Sequence, residues 1–515
     1  MCTVGAAHPI HVFQCARYQL PNYRQWLYKQ REHCLRTFVL VGFLFSLLRG
    51  YLPMLLSLFL PIETVRNNIS LFMTLVSFIA VTVFFIWQDL HMPMKKPLVL
   101  TMRTKRLFSV LIGLYILASL ILRIFSIPAY LVYAVVPFAV WLAGRIMDPI
   151  EERINAGFYH EARRKLLSRK DLIKIAITGS YGKTLTKFIL AGILSEKYDV
   201  LATPASFNTA MGISRVVNDS LEDHHQVFIA EMGGQHIGDI RYLTRLVGPK
   251  IGIITSIGPQ HLDTYGSMAN IAEGKYELIQ GLPEDGIAFF ASDSGYTDRL
   301  YGMCTKEKYN AAVDPMGDCT MTVTELTMNP DGMSFWLTHA SGERVRCATR
   351  LLGRYNAQNI ALSGAVAYTL GMTMSEIANG ISHLQPFEKK LQLIPGDKTI
   401  IDDTQNESPL GAAEALSVLA EFPGRRIMIT PGLPASDDKE EEINYAFGTQ
   451  MKDCVDNVIL IGDKKKLKPL VRGMAAAGIP KAMIRVAADA DDAEDILDEI
   501  SETGDTVLYE CSAQI

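Results

Sequence analysis

The run Ile175-Ala176-Ile177-Thr178-Gly179-Ser180-Tyr181-Gly182-Lys183-Thr184 constrains this chain more than any other feature, because it joins an apolar strand to a glycine turn and then to a helix. Backbone N–H groups around Gly179 and Gly182 and at the helix N-terminus can face a polyphosphate, Lys183 adds a point charge, and the Thr184 hydroxyl is suited to Mg²⁺. Only Ser180 and Tyr181 separate the two glycines, where the common phosphate loop has four residues. A strand–turn–helix unit of this kind calls for a parallel α/β sheet, with ligands at the carboxyl ends of its strands.

The chain has 515 residues and a net charge of −4, enough length for several domains. Its mean hydropathy of +0.15 is concentrated in the first 145 or so residues, judged against the roughly 20-residue apolar run that spans a bilayer. Four membrane helices are expected there: Phe38 to Leu60, Ile69 to Trp87, Leu107 to Leu122 and Ile124 to Ala143. Arg49 and Pro53 interrupt the first, leaving a re-entrant or kinked pair as the alternative. Lys and Arg flank the runs at Arg24–Arg36, Lys95–Arg106 and Arg145–Lys165, a bias that puts both ends of an even-span bundle in the cytoplasm. The expected location is therefore the cytoplasmic membrane, multi-pass and in contact with membrane lipid, with the soluble domains in the cytoplasm. The first apolar run begins too late and is too long for a cleaved signal peptide. Eight cysteines without a Cys-x-x-Cys pair or metal-ligand spacing read as reduced thiols. Neither the net charge nor the motifs call for a nucleic-acid partner.

The expected fold is an α-helical membrane region (1–147), a helical connector (148–170), a P-loop-type parallel-sheet ATPase domain (171–388) and a Rossmann-like C-terminal α/β domain (389–515). Strands are expected at Lys174–Thr178, Gln226–Glu231, Ile251–Ser256 and Ile287–Ala291, alternating with helices such as Thr184–Ser195 and Ile237–Leu246. A β-rich insert follows from about Ala312 to Arg350, then the helices Asn356–Leu370 and Thr373–His383. Gly396–Asp403 opens the second α/β unit, with further strands at Arg426–Thr430, Asn457–Ile461, Ile484–Val486 and Thr506–Tyr509.

Taken singly, the downstream polar residues say little. Glu231 ends an apolar strand, His261 follows another, and Lys275 sits on a helix; each has an ordinary structural reading as strand-end, loop or solvated side chain. In order behind a GxxGKT loop they form a constellation. With Thr203-Pro204-Ala205-Ser206-Phe207-Asn208-Thr209-Ala210-Met211-Gly212, Ala230-Glu231-Met232-Gly233, Ile257-Gly258-Pro259-Gln260-His261-Leu262, Leu352-Gly353-Arg354-Tyr355-Asn356-Ala357-Gln358-Asn359 and Ile401-Asp402-Asp403-Thr404-Gln405-Asn406, the chain resembles the Mur ligase family of ATP-dependent peptide-forming enzymes over its whole soluble part. It looks closest to the D-alanyl-D-alanine-adding branch, and its amino-terminal region is similar to that of membrane-anchored members.

The resemblance implies an ATP-dependent carbon–nitrogen ligase: ATP phosphorylates a carboxylate and an amine attacks the acyl phosphate, giving an amide, ADP and phosphate. It implies ATP and Mg²⁺ as cofactors, with Gly179, Ser180, Tyr181, Gly182, Lys183 and Thr184 on the phosphates, Asn359 on adenine, Asp403 on the ribose side and Lys390 in place of a hinge arginine. It implies Thr184, Glu231 and His261 at metal ions, Asn208 and Thr209 beside the carboxylate substrate, catalytic roles for Lys183, His261 and Lys275, and a CO₂ carbamate on Lys275. The implied partners are a nucleotide- or lipid-linked cell-envelope precursor and an amino-acid or dipeptide amine. Departures cluster toward the carboxyl end: Gln405 for Tyr, Glu407 and Ser408 for Ala-Asn, Pro434-Ala435-Ser436 for Glu-Leu-Gly, Tyr355 for His, and a short ending at Tyr509–Ile515. Two alternatives stay open: a ligase extending a membrane-associated poly-amino-acid, and a non-catalytic nucleotide-binding membrane protein. A transporter ATPase fits poorly, since its coupling motifs are not evident.

Overall fold

The computed structural model describes residues 2–16, 18–28, 98–124, 136–292, 295–315, 317–406, 408–434 and 437–511. The chain divides into two compact units, Met1–Gly157 and Phe158–Ile515.

The first unit contains the helices α1 (Cys2–Cys15) and α2 (Met102–Ile124) and the start of α3 (Val136–Ser168). Its core gathers Ile10, Phe13, Tyr23, Leu107, Leu111 and Val140. The Arg106 guanidinium donates to both oxygens of Glu151, at 2.8 and 3.0 Å, a bidentate pair that fixes α2 against the first unit's part of α3. Among the described residues no helix is long and apolar enough to cross a membrane. The third expected span is therefore not supported here. The third falls on α2, whose opening carries Arg103, Lys105 and Arg106 and whose Leu107 and Leu111 turn into the unit's own core. The fourth, expected at 124–143, lies largely outside the described residues; its last part falls on the start of α3, which soon carries Arg145, Asp148 and Glu151. The spans expected at 38–60 and 69–87 lie outside the described residues.

In the second unit β1 (Ile173–Thr178) lies at the middle of the chemistry. Its residues alternate between two apolar layers: Ile175 and Ile177 pack with the helix α4 (Lys183–Leu194), while Ala176 packs with Phe228, Ile213 and Leu243 on the opposite face. A strand covered on both faces explains why the sequence shows an apolar run rather than polar alternation. With β2 (Val200–Ala202), β3 (Val227–Glu231), β4 (Ile251–Ile254), β5 (Ile287–Ala291), β6 (Glu307–Val313), β7 (Met321–Asn329), β8 (Gly332–His339) and β9 (Arg344–Thr349), it forms one nine-stranded sheet in the order β2-β3-β1-β4-β5-β6-β7-β8-β9. The expected β-rich insert is no separate layer. Ala311 to Val313 pair in parallel with Met321 to Val323, and β7 to β9 continue as an antiparallel meander.

The second sheet has six strands: β10 (Gln392–Ile394), β11 (Thr399–Asp403), β12 (Arg426–Thr430), β13 (Asn457–Ile461), β14 (Ile484–Ala487) and β15 (Thr506–Glu510), ordered β10-β11-β15-β12-β13-β14. All pairings are parallel except the antiparallel β10 edge. Crossover helices Pro409–Ala420, Asp437–Gln450, Lys468–Ala476 and Ala490–Ile500 connect them. The carboxyl ends of the adjacent strands β11 and β15 place Asp403 opposite Glu510.

Candidate active site

The turn after β1 is shaped by its glycines. Gly179 has φ +151° and Gly182 φ +79°, in the left-handed half of backbone space that side chains disfavour. A Cβ on Gly179 would overlap the Thr255 hydroxyl, and one on Gly182 would come within 3.1 Å of Asn359 Oδ1. The loop is tied to the end of β4 by Ser180 N–H donating to Ser256 O at 2.6 Å, and to the following turn by the Ser180 hydroxyl donating to Gly258 O at 2.9 Å. Gly182 caps α4 without a side chain, so the first N–H groups of that helix have no intrahelical acceptor and point out of its end.

Lys183 turns its ammonium back over the loop, donating to Gly179 O at 2.8 Å and Ser180 O at 2.9 Å. Burial pulls its pKa down to about 8, opposed by the Glu231 charge. A phosphate in the turn would take over from those two carbonyls as the cation's partner.

Ser180, Tyr181, Gly182, Lys183 and Thr184 line a cavity of about 300 Å³ together with Asn359, Lys390 and Asp403. The structure thus brings the expected phosphate, adenine and ribose contacts to one space between the two sheets, drawn from segments more than 200 residues apart in the chain. The fit to a nucleotide has a further sign. Asn359 receives a hydrogen bond from Thr186 on Oδ1 at 3.0 Å, but its buried Nδ2 has no partner among the described residues, and a buried amide is costly to leave unpaired. Gly179, Asn208, Thr209, Glu231, His261 and Lys275 are not among the residues lining this cavity.

Glu231 closes β3 with its side chain 1% exposed. One oxygen accepts from Asn208 Nδ2 at 3.0 Å and the other from Lys187 Nζ at 3.2 Å. Among the described residues no group of three or more His, Cys, Asp and Glu could hold a metal. The carboxylate and the hydroxyl nevertheless suit Mg²⁺, which is bound through one or two carboxylates plus the oxygens of a phosphate ligand, while the His261 imidazole is the less usual ligand for so hard a cation. His261 adopts a left-handed conformation, φ +59°, at the start of the short helix Leu262–Tyr265. Thr209 caps the helix Ala210–Ser220 by accepting from Gly212 N–H at 3.2 Å, so its hydroxyl is engaged structurally.

Lys275, on the helix Met268–Gln280, is 2% exposed and donates to Gly234 O at 3.1 Å. Burial, then the positive charge of Lys183, bring its pKa down to about 7, with Asp239 opposing. A sizeable share of its amine is therefore neutral near pH 7, the form that adds CO₂.

Sequence reasoning missed three charged residues here. Lys187 sits on the apolar face of α4 among Thr186, Ile189 and Leu190, and a lone lysine inside an apolar stripe was the available signal. Glu414 lines the cavity and accepts from Tyr355 N–H at 3.1 Å across the two sheets. Glu510 carries no local mark; only strand pairing brings it to Asp403.

These features define a nucleotide-binding α/β protein with its phosphate loop at the carboxyl edge of a parallel sheet. Residues 177–367 match the Mur ligase middle domain, and the members of that family are ATP-dependent ligases that form carbon–nitrogen bonds. The UDP-N-acetylmuramoyl-tripeptide–D-alanyl-D-alanine ligase of Bacillus subtilis is 27% identical over 343 residues, 66% of this chain and 72% of its own length. The Escherichia coli ligase of the same name is 27% identical over 56% of this chain, which spans 64% of that relative's length. Among solved structures, MurF from Acinetobacter baumannii superposes with a TM-score of 0.61 at 22% identity, over 70% of this chain and 78% of that one. MurF from Thermotoga maritima in complex with ADP gives 0.61 at 21% identity, over 70% and 80%. At these identities the structural likeness is one of fold.

Proposed function

We propose that this protein is an ATP-dependent ligase that joins an amino-acid or dipeptide amine to the carboxylate of a cell-envelope precursor, UDP-N-acetylmuramoyl-tripeptide being the first candidate. The observation that carries this reading is the cavity shared by Ser180–Thr184, Asn359, Lys390 and Asp403, with the Lys183 ammonium on the loop and, in its wall, an Asn359 amide unsatisfied among the described residues. Phosphoryl transfer asks a protein for positioning and charge neutralisation more than for covalent help. Lys183 and the α4 N-terminus would hold the terminal phosphates, Asn359 and Asp403 would orient the nucleoside, and Asn208 would hold the acyl carboxylate for transfer. Thr184, Glu231 and His261 would hold Mg²⁺, which supplies neutralising charge at the phosphates. An acyl phosphate made there would be open to attack by the amine, releasing phosphate.

The location belongs to the same proposal. The apolar segments 38–60 and 69–87 and the basic residues flanking them support attachment at the cytoplasmic face of the membrane, which would keep the site near lipid-linked precursors.

The test is ADP release by the full-length detergent-solubilised protein. Release that needs both UDP-N-acetylmuramoyl-tripeptide and D-alanyl-D-alanine supports the reading. Release independent of both marks a stand-alone ATPase, and ATP binding without turnover across a panel of acids and amines marks a non-catalytic nucleotide-binding protein.

A further inference from the structure

Lys187 takes no part in the roles assigned so far, yet it is among the largest fully buried side chains of the molecule. It lies one turn beyond Lys183 on α4. Its ammonium has two hydrogen-bond acceptors among the described residues, Glu231 Oε2 at 3.2 Å and the carbonyl of Ala205, and it lies 4.4 Å from the centre of the Phe188 ring. Ala205, with φ +42°, lies in the segment Thr203–Thr209 that joins β2 to the helix Ala210–Ser220. That segment returns to the same carboxylate, since Asn208 Nδ2 donates to Glu231 Oε1 at 3.0 Å. The contacts close a ring, from Lys187 to Glu231 to Asn208, back along the chain to Ala205, and to Lys187 again.

The ends of the segment have backbone anchors. Thr203 N–H donates to Ile229 O at 3.0 Å, and Asn208 O accepts from Gly233 N–H at 2.9 Å. Between them Pro204, Ala205, Ser206 and Phe207 are exposed, and the Lys187 ammonium gripping Ala205 O is what reaches this arch from below. A purely structural ion pair of this depth gains little over apolar packing. Here the pair joins the carboxylate at the end of β3 to the loop that carries Asn208.

We propose that Lys187 is a positioning residue for the acyl substrate: by holding Glu231 and the Ala205 carbonyl with one ammonium, it sets the Thr203–Thr209 arch and so the placement of Asn208. This rests on the ligase reading above and deepens it. It separates two kinds of cation on one helix, Lys183 facing the phosphates and Lys187 facing the acceptor loop. An uncharged side chain of similar length would fill the same space but release the arch.

The experiment compares wild type with Lys187→Met and Lys187→Arg. In steady state, Lys187→Met is expected to raise KM for UDP-N-acetylmuramoyl-tripeptide by about tenfold or more, about 1.4 kcal/mol of lost binding, with any rise in KM for ATP, through the released Glu231, smaller than that. Lys187→Arg, which keeps the charge and has N–H donors for both acceptors, is expected to recover most of that loss. A fall in kcat with KM for the tripeptide unchanged, or equal losses in Arg and Met, overturns the proposal. Hydrogen exchange on the ligand-free proteins tests it separately from the substrate assignment. In Lys187→Met the amides of 205–209 should exchange about tenfold faster while those of β1 and β4 keep their protection. Unchanged exchange at 205–209 overturns it even if the tripeptide proves to be the wrong substrate, and loss of protection throughout the sheet assigns Lys187 to the core and overturns it as well.

Discussion

Lys275 shows how a buried position can prepare a side chain for chemistry. Carbamate formation consumes neutral amine, and burial together with Lys183 brings the Lys275 pKa to about 7, so the reactive form is plentiful at pH 8 and scarce at pH 6. The intact protein at pH 8 in bicarbonate should gain the mass of CO₂, with loading falling as pH drops through about 7. Lys275→Ala should lose activity and recover part of it with acetate or another short carboxylate; an active Lys275→Ala with no mass gain in wild type would remove the carbamate from the mechanism. Lys183 has a different task. Removing one preorganised charge at developing negative charge costs roughly 10²–10³ in rate, so Lys183→Ala should lower kcat by that order with its melting temperature close to wild type. The glycine turn and its lysine were legible because chain connectivity fixes their relation. The Lys187–Glu231–Asn208 ring was not, since it joins residues on α4, β3 and a loop whose proximity depends on the folded sheet.

Element by element, legibility followed burial. Strands enclosed on both faces, such as β5 at Ile287–Ala291 and β12 at Arg426–Thr430, match the sequence expectation to the residue, because a continuous apolar run bounded by polar turns admits little else. The meander β7–β9 was recognised as β-structure but not as part of the main sheet, since its attachment rests on the short parallel pairing of Ala311–Val313 with Met321–Val323. The apolar run of α2 reads as a span in the sequence. In the structure its Leu107 and Leu111 join the first unit's core while Ile112, Ile116, Leu117 and Leu120 are exposed, and apolar content alone does not say what such a face meets. The helix Met374–Ser382 carries a capping box, with Thr373 Oγ1 accepting from Glu376 N–H at 3.2 Å and Glu376 accepting from Thr373 N–H at 2.7 Å. Thr373→Ala should cost about 1 kcal/mol. The denaturant midpoint should fall with an unchanged slope and unchanged kcat; an altered slope would mean that the helix end is reorganised rather than merely uncapped.

At the scale of the whole molecule, the two sheets meet around groups whose charges are held away from their ordinary values, and stability should carry that signature. Asp403 accepts from Leu391 N–H and Asn406 Nδ2, both at 2.9 Å, and faces Glu510 across the β11–β15 pairing. Burial drives the Asp403 pKa up to about 7 and holds Glu510 well above the carboxylate range, the neighbouring Asp403 charge adding to the rise. Glu510 is fully buried and neither of its oxygens has a donor among the described residues. A neutral Glu510 beside the Asp403 carboxyl is therefore the arrangement the site favours. Both folded-state pKa values exceed the unfolded ones, so the folded chain binds more protons between about pH 4 and 7. The stability this contributes is complete below about pH 4 and is lost as pH rises through about 7. Glu510→Gln keeps the shape and the donor but cannot ionise. Its melting temperature should lie close to wild type at pH 5 and above it by a few degrees at pH 8, the gap widening as pH rises above the ordinary carboxylate range. A gap of equal size at both values, or of opposite sign at pH 8, would mean that Glu510 is ionised throughout and held by a partner other than the acid beside it.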